Sequence, residues 1–460
     1  MKMREKSTEL FASAPIPKAV FTNMIPAIIS MIMVMIYNLA DTFFIAQTKD
    51  HLMIAAISVS SPAFFFFMAI GSLFGIGGTS LISRSLGAGK GEKAKHISSF
   101  CFWTGTAIGI VSALLIHFNA RSICYMIGAS DDTIGYATEY LDILSFAIPL
   151  LIIGNTFSNI IRAEGKPQIA MIGTVVGNLI NIVLDPILIS GLKLDVRGAA
   201  IATVLGNVFS AGFYIYHLSS KHSMLSLNPK LYRAGEGIAF GVFAIGIPAA
   251  LNSLLMTASN IILNSLMSKH NDLAVAGLGV AMKVNSIAVM VLIGMGFGVQ
   301  PLLGYNFGAR NKERFNGIMR FSLLVAFIGS LVMTIICYCA AGPLVRIFLD
   351  NDQAFDYGFQ FCRILIYAGP VLGFMFIFQN AIQATGAVVP AMILSVCRQG
   401  LILIPLYYLS NHFFHTPRAL TMCAPIADYS STAISVILFI YTIRKYFGDA
   451  EMVDKIEQEL

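Results

Sequence analysis

Charge is scarce in this chain. Of its 460 residues only 12% are Asp, Glu, Lys or Arg, about half the share of a typical soluble domain, while 57% are hydrophobic and mean hydropathy is +0.76. That shortage excludes a soluble globular enzyme, a disordered chain and a secreted disulfide scaffold. The seven cysteines form no CxxC pair and lie mostly in apolar runs, so neither a zinc site nor a disulfide framework is expected. The eight histidines sit in or near connecting segments and make no metal-like grouping. There is no GxxxxGK[ST] sequence, which argues against an ATP-driven pump in this chain. No Ser/His/Asp, HExxH or Cys/His constellation lies within the apolar runs, so no enzymatic chemistry is expected. A polar first dozen residues with no small-residue cleavage site after a short apolar core points to no removable signal peptide.

What is present is a succession of apolar runs, each long enough for the ~20 residues that cross a bilayer. Twelve helices are expected, near 19–45, 53–83, 97–117, 138–161, 168–191, 198–218, 237–267, 273–303, 320–342, 357–383, 388–410 and 420–443. An even count puts both termini on one side. Alternate connections on that side carry twenty Lys and Arg, among them Arg84, Lys90, Lys93, Lys95, Arg162, Lys166, Arg310 and Lys312, against eight on the other; Lys283 and Arg398 fall inside spans. Basic residues collect in cytoplasmic loops. Both termini are therefore expected in the cytoplasm, and the net charge of +6 is no sign of nucleic-acid binding.

A shift of 221 residues aligns the two halves. Between 147 and 171, ten of 25 positions are identical to their partners, including Pro149 with Pro370, Asn159 with Asn380 and Gly165 with Gly386. GIGGTSLISRSLGA (75–88) falls on GFGVQPLLGYNFGA (296–309), and Pro26 and Asn38 match Pro248 and Asn260 at a shift of 222. Shared apolar composition does not produce Pro, Asn and Gly matches. The expected organisation is thus a first lobe over 1–218 (helices 1–6), a cytoplasmic linker over 219–236, a second lobe over 237–443 (helices 7–12) and a cytoplasmic tail over 444–460. Two six-helix bundles of one orientation are related by a pseudo-twofold axis along the membrane normal, an arrangement suited to alternating access.

Ionisable groups inside spans cost several kcal/mol if they face lipid and are functional hypotheses by default. Helix 1 carries Tyr37 and Asp41 at i,i+4, on one face. Helix 5 carries Asn178, Asn181 and Asp185 as one polar stripe, followed at once by Pro186. Helix 4 adds Asn155 and Asn159, and helix 6 adds Thr203 and Asn207. Two carboxylates with amide and hydroxyl oxygens can coordinate a hard cation such as sodium. Alternatively one carboxyl can bind and release a proton, since burial and a like-charged neighbour both penalise its ionised form. The asparagines alone are read as interhelical hydrogen-bonding groups. Asp41 and Asp185 are read as functional, because the repeat places Leu263 and Leu406 opposite them: an acid needed to pack the six-helix unit would have a counterpart. Asp428, Lys283 and Arg398 are expected to pair with one another as structural support. Asn38 and Asn260, equivalent in the repeat, are candidates for a substrate path. Gly-rich GSLFGIGG (71–78) and GMGFG (294–298) lie in apolar helices and are read as packing seams.

YNLADTFFI on helix 1, RAEGKP after helix 4, GNLINIVLDPILI on helix 5, RGAAIATV on helix 6 and GVQPLLGYNFGA after helix 8 resemble the MATE family of multidrug and toxic compound extrusion antiporters, over essentially the whole chain. The branch resembled is the bacterial one containing MepA-like and DinF-like exporters. The resemblance implies an all-α polytopic membrane protein of twelve transmembrane helices. It implies secondary efflux of organic, often cationic, compounds in exchange for H+ or Na+, by a protein of the bacterial cytoplasmic membrane that works as a monomer and needs no cofactor beyond the coupling ion. It places the coupling cation at positions matching Asp41, Asn181, Asp185 and Thr203, with Tyr37 and Asn155 as neighbours; these four would ligate a metal only if the ion is sodium. Another branch uses acids on helices 7 and 10, which this sequence lacks. The competing transporter class, a flippase of lipid-linked oligosaccharides in a related superfamily, would call for a basic cleft.

Overall fold

A computed structural model describes residues 9–48, 51–221 and 223–448. Lys2, Arg4, Lys6, Lys49 and Lys455 of the charge count, and the expected tail beyond 448, lie outside those residues. The described residues contain no strand. The helices are α1 (Ile16–Gln47), α2 (His51–Gly87), α3 (Gly91–Met126), α4a (Ile134–Ser145), α4b (Ile148–Ala163), α5 (Pro167–Asp185), α6 (Asp195–Ser219), α7 (Ile238–Ser268), α8 (Asp272–Gly308), α9 (Lys312–Phe348), α10a (Asp352–Ile366), α10b (Gly369–Thr385), α11a (Val388–Val396), α11b (Ile404–Phe413) and α12 (Pro417–Gly448). Among the described residues ten helices are long and apolar enough to cross a membrane, and counting each of the two bent pairs as one crossing gives twelve.

The bends and bulges have identifiable causes. Helix 4 breaks by 56° between α4a and α4b, and helix 10 by 51° between α10a and α10b. Pro149 and Pro370, in register in the repeat, open the second segment of each. Proline lacks the N–H that would continue the preceding helix and is favoured in a first turn. A π-turn over Pro186–Gly191 extends α5, and another over Cys397–Leu403 joins α11a to α11b just before Pro405. Such widenings are often found at functional sites. The two halves also share capping details: Gly165 and Gly386 both take left-handed φ, at 81° and 78°. Arg197 Nε donates to Glu139, and at the same shift Arg418 Nε donates to Gln360 Oε1 at 2.6 Å.

The chain divides into two compact units, of which the described parts are 9–14 with 32–250, and 15–31 with 251–448. The division runs through α1 and α7. Glycine contacts are the physical reason. In the first unit a Cβ on Gly77 would lie 2.1 Å from the Val242 carbonyl oxygen, and one on Gly246 2.2 Å from that of Leu73, so the start of α7 seats on α2. In the second unit Gly298 of α8 would meet Met24 Cα at 2.5 Å in the same way. Buried apolar side chains fill each unit. Phe74, Phe100, Phe157, Tyr214 and Val242 share one core in the first; Leu278, Phe361 and Leu420 share one in the second.

Candidate functional site

Close approach of α5 and α6 assembles the polar group of the first unit. Gly206 leaves room for the Cβ of Asn181, which an added methyl would meet at 3.1 Å, and Gly177 backs onto the Gly206 carbonyl. Asn181 Nδ2 then reaches Thr203 Oγ1 at 3.4 Å. Asp185, one turn further along α5, is 0% exposed; Asn181 and Thr203 are 2% and 3% exposed. Asn181 Oδ1 and both carboxylate oxygens of Asp185 have no hydrogen-bond partner among the described residues. From α1, Tyr37 faces Thr203 and stands within electrostatic reach of Asp41 and Asp185, while Asp41 is close to Asp185. Five of the six expected coupling residues, Tyr37, Asp41, Asn181, Asp185 and Thr203, are thus brought together.

The sixth is not. Asn155 donates from Nδ2 to Met68 O at 2.8 Å and to Ser72 Oγ at 3.1 Å, tying α4b to α2. The i,i+4 spacing with Asn159 described a helix face without saying which neighbour it met. Tyr140 of α4a was missed by sequence reasoning. It is 8% exposed and lies within reach of Tyr37, Asp41 and Asp185. A lone tyrosine in an apolar run carries no signal of its own.

Neither Asp41 nor Asp185 has an ion-pair partner among the described residues. A buried carboxylate without counter-charge costs several kcal/mol. It must carry a proton or hold a cation. The free acceptors around it, a carboxylate pair and an amide oxygen beside a hydroxyl, suit either. No grouping of three His, Cys, Asp or Glu side chains that could hold a metal ion occurs among the described residues.

The remaining intramembrane candidates separate. Arg398 Nε donates to Asp428 Oδ1 at 2.7 Å, so those two pair as expected. Lys283 does not join them and sits over the Phe348 ring, 5.9 Å from its centroid. Asn38 is exposed on α1 and Asn260 half-buried on α7; they belong to different units.

A second polar assembly lies at the end of the first unit that carries the α2–α3, α4–α5 and 219–236 connections. Glu164, after α4b, is fully buried and accepts from Lys166 Nζ at 2.9 Å and from the Met224 amide, with His217 Nε2 at 3.5 Å. Burial alone would push its carboxyl up. The His217 ring nitrogen, the Lys166 charge and hydrogen bond, and the Met224 amide outweigh burial and hold it below the usual glutamate range. Beside it α3 grips the connecting segment by its main chain. His96 Nδ1 meets Leu231 O at 2.8 Å, and Ser98 Oγ donates to Ser226 O at 3.0 Å. Ser99 Oγ donates to Asn228 O at 2.9 Å and Trp103 Nε1 to Leu227 O at 3.0 Å.

Comparison with known proteins follows the same lines. Residues 26–187 and 248–409 each match the MatE family, 222 residues apart, so the family unit occurs twice in this chain. The multidrug export protein MepA of Staphylococcus aureus (strain MSSA476) is 30% identical over 442 residues, covering 96% of this chain and 97% of its own. MepA of Staphylococcus saprophyticus is 29% identical over 455 residues, 99% of each chain. Among solved structures, a crystal structure of MATE in the straight conformation superposes with a TM-score of 0.91 at 23% identity, over 96% of this chain and 99% of that one. A second, the outward-facing conformation of a multidrug resistance MATE family transporter, gives the same values and coverage. Both support the all-α MATE fold. With its unit matched in both halves and a relative of 30% identity spanning nearly its whole length, this protein is a multi-pass membrane protein of the MatE family of multidrug efflux transporters.

Proposed function

We propose that this protein exports organic, often cationic, compounds in exchange for protons or sodium by alternating access, with the coupling ion taken up at Asp41, Asn181, Asp185 and Thr203 beside Tyr37. It works as a monomer in the bacterial cytoplasmic membrane with both termini inside, the orientation that the Lys and Arg distribution supports. The observation that carries the reading is Asp185: fully buried, with both oxygens unpartnered and no cation paired with it. Such a carboxyl changes its interactions most when an ion or proton arrives. Protons are the favoured ion, because two neighbouring acids without a basic partner can share one.

The ion is decided in proteoliposomes. Sodium needs several oxygens at once, whereas a proton needs one carboxyl. If sodium drives transport, Asn181→Ala and Thr203→Val should each raise the sodium concentration for half-maximal dye efflux by roughly tenfold or more. If protons drive it, both variants keep most of their efflux under a pH gradient without sodium. Wild-type efflux that requires sodium at every pH overturns the proton reading.

Asn38 and Asn260 are proposed as substrate-path residues. Cysteine at either position, in a background lacking the seven native cysteines, should react with a membrane-impermeant maleimide and be protected by a transported dye. Labelling indifferent to dye removes that residue from the path.

A further inference from the structure

The duplication presents one helix seam twice. In the first unit α5 and α6 meet through glycine: a Cβ on Gly177 would lie 2.8 Å from the Gly206 carbonyl oxygen and 2.7 Å from Ser210 Cβ. One turn away Thr174 Oγ1 is satisfied by the Tyr214 hydroxyl at 2.9 Å. At a shift of 221, Arg398 stands for Gly177, Gln399 for Asn178, Ser395 for Thr174, Asp428 for Asn207 and Ser435 for Tyr214, while Ser431 keeps the serine of Ser210. The second unit has therefore put its longest cationic side chain where the first has none, and a short hydroxyl where the first has a phenol.

The consequences are visible. Arg398 bonds Asp428 across the seam, and it does so from within the π-turn Cys397–Leu403, where the regular helical ladder is interrupted. Ser435 is engaged within its own helix, with Thr432 O at 2.7 Å. Ser395 Oγ, which has lost the partner its counterpart enjoys, has none among the described residues and is 0% exposed. Gln399 Oε1 and Ser431 Oγ, 4% and 2% exposed by residue, are unpartnered too. An ion pair is an expensive way to pack two helices, and the glycine seam of the first unit achieves the packing without one. Ser395 and Ser431 stand three residues from Arg398 and Asp428 along their helices, one turn away, and Gln399 follows Arg398 directly, so a buried pair with unused acceptors this near in sequence has the makings of a binding site in which the arginine is one occupant.

The identity of that occupant indicates the ligand. A guanidinium is flat and offers N–H donors in a fixed fork. We propose that Asp428, Ser431, Ser395 and Gln399 form a site for planar amidinium- or guanidinium-bearing compounds, at which Arg398 is a resident stand-in that the incoming cation displaces. The Arg398 side chain is 20% exposed against 9% for Asp428, so the arginine is the more accessible of the two. A quaternary cation, with no N–H to donate, gains nothing from these acceptors beyond charge. That the bound compound is also exported rests on the function proposed above; that it binds does not.

Calorimetry on the purified full-length protein in detergent tests this, with benzamidine as probe and tetraphenylphosphonium as the cation without N–H donors. Asp428→Asn should weaken benzamidine at least tenfold and tetraphenylphosphonium, which loses only the attraction of a charge, far less. Arg398→Gln, by removing the competitor, should tighten benzamidine severalfold. Should that variant fail to fold, the double variant Ser395→Ala/Ser431→Ala, which keeps the ion pair, should still weaken benzamidine threefold or more. Wild-type affinity in Asp428→Asn or in the double serine variant, weaker binding in a folded Arg398→Gln, or no benzamidine binding to the wild type each overturns the site. Benzamidine that binds as expected but is not moved by proteoliposomes overturns its export and leaves the site standing.

Discussion

Asp185→Asn is expected to reduce coupled dye efflux in proteoliposomes by about 100-fold or more, the scale at which a group central to each cycle shows its loss, with no fall in thermal stability. The carboxyl is fully buried with both oxygens unpartnered. The amide is nearly isosteric, so the fit of the side chain in its buried place on α5 is kept. What disappears is the ability to alternate between a charged and a neutralised state. A neutral amide needs neither a proton nor a cation to sit where this carboxyl is buried, so the melting temperature should hold or rise. Asp41→Asn should behave alike, because the two acids are within electrostatic reach and, in the function proposed above, take up one ion together. Efflux at the wild-type rate from either variant, at matched protein level in the vesicles, would falsify the assignment.

Glu164→Ala is expected to be the opposite kind of lesion: a loss of about 3 kcal/mol of stability, the usual cost of breaking a buried charge pair by removing one partner. Lys166 loses its counter-charge, His217 its neighbouring carboxylate and the Met224 amide its acceptor. The pH dependence follows from the direction of the Glu164 shift. Its carboxyl is held low in the folded protein, so its stabilising contribution is present above the usual glutamate value and is lost as pH falls through the depressed one. The apparent melting temperature of the wild type should therefore drop on acidification below about pH 4.3. That of Glu164→Ala should start lower and be flatter over the same range. Glu164→Gln, which can still accept from Met224, should fall between them. Parallel acid limbs for wild type and Glu164→Ala would show that another group governs the acid side.

Much of this was legible in the sequence because it rests on long-wavelength signals. Twenty apolar residues announce a crossing, and Pro, Asn and Gly repeated at a fixed shift announce a duplication. An acid in an apolar run without a counterpart in the other half announces a special task. The bends in helices 4 and 10 were not legible: hydropathy runs straight through Pro149 and Pro370, although the prolines mark the place in hindsight. The partners of Asn155 on α2 were not legible either, because a polar residue on a span needs only one neighbour to satisfy it, and the sequence does not name that neighbour. The passage of each unit's boundary through α1 and α7 was hidden for a similar reason. Gly77 and Gly246 mark a close approach, but their partners are backbone atoms of Val242 and Leu73, which any residue would supply.

The strap over 224–232 is held in a manner that has its own implication. His96, Ser98, Ser99 and Trp103 all reach carbonyl oxygens, and Glu164 takes an amide. Such a hold is blind to side-chain identity: it recognises the path of the chain and not its spelling. Leu227 or Leu231 could be exchanged for most residues without loosening these bonds. Proline at 224 or 226, which removes an amide hydrogen that Glu164 or Ser98 uses, could not. Information about the path of this segment is thus stored largely in α3 and beside α4b, while Leu225, buried in the core, and Tyr232, against Phe100, are the side chains the segment itself contributes to its seating.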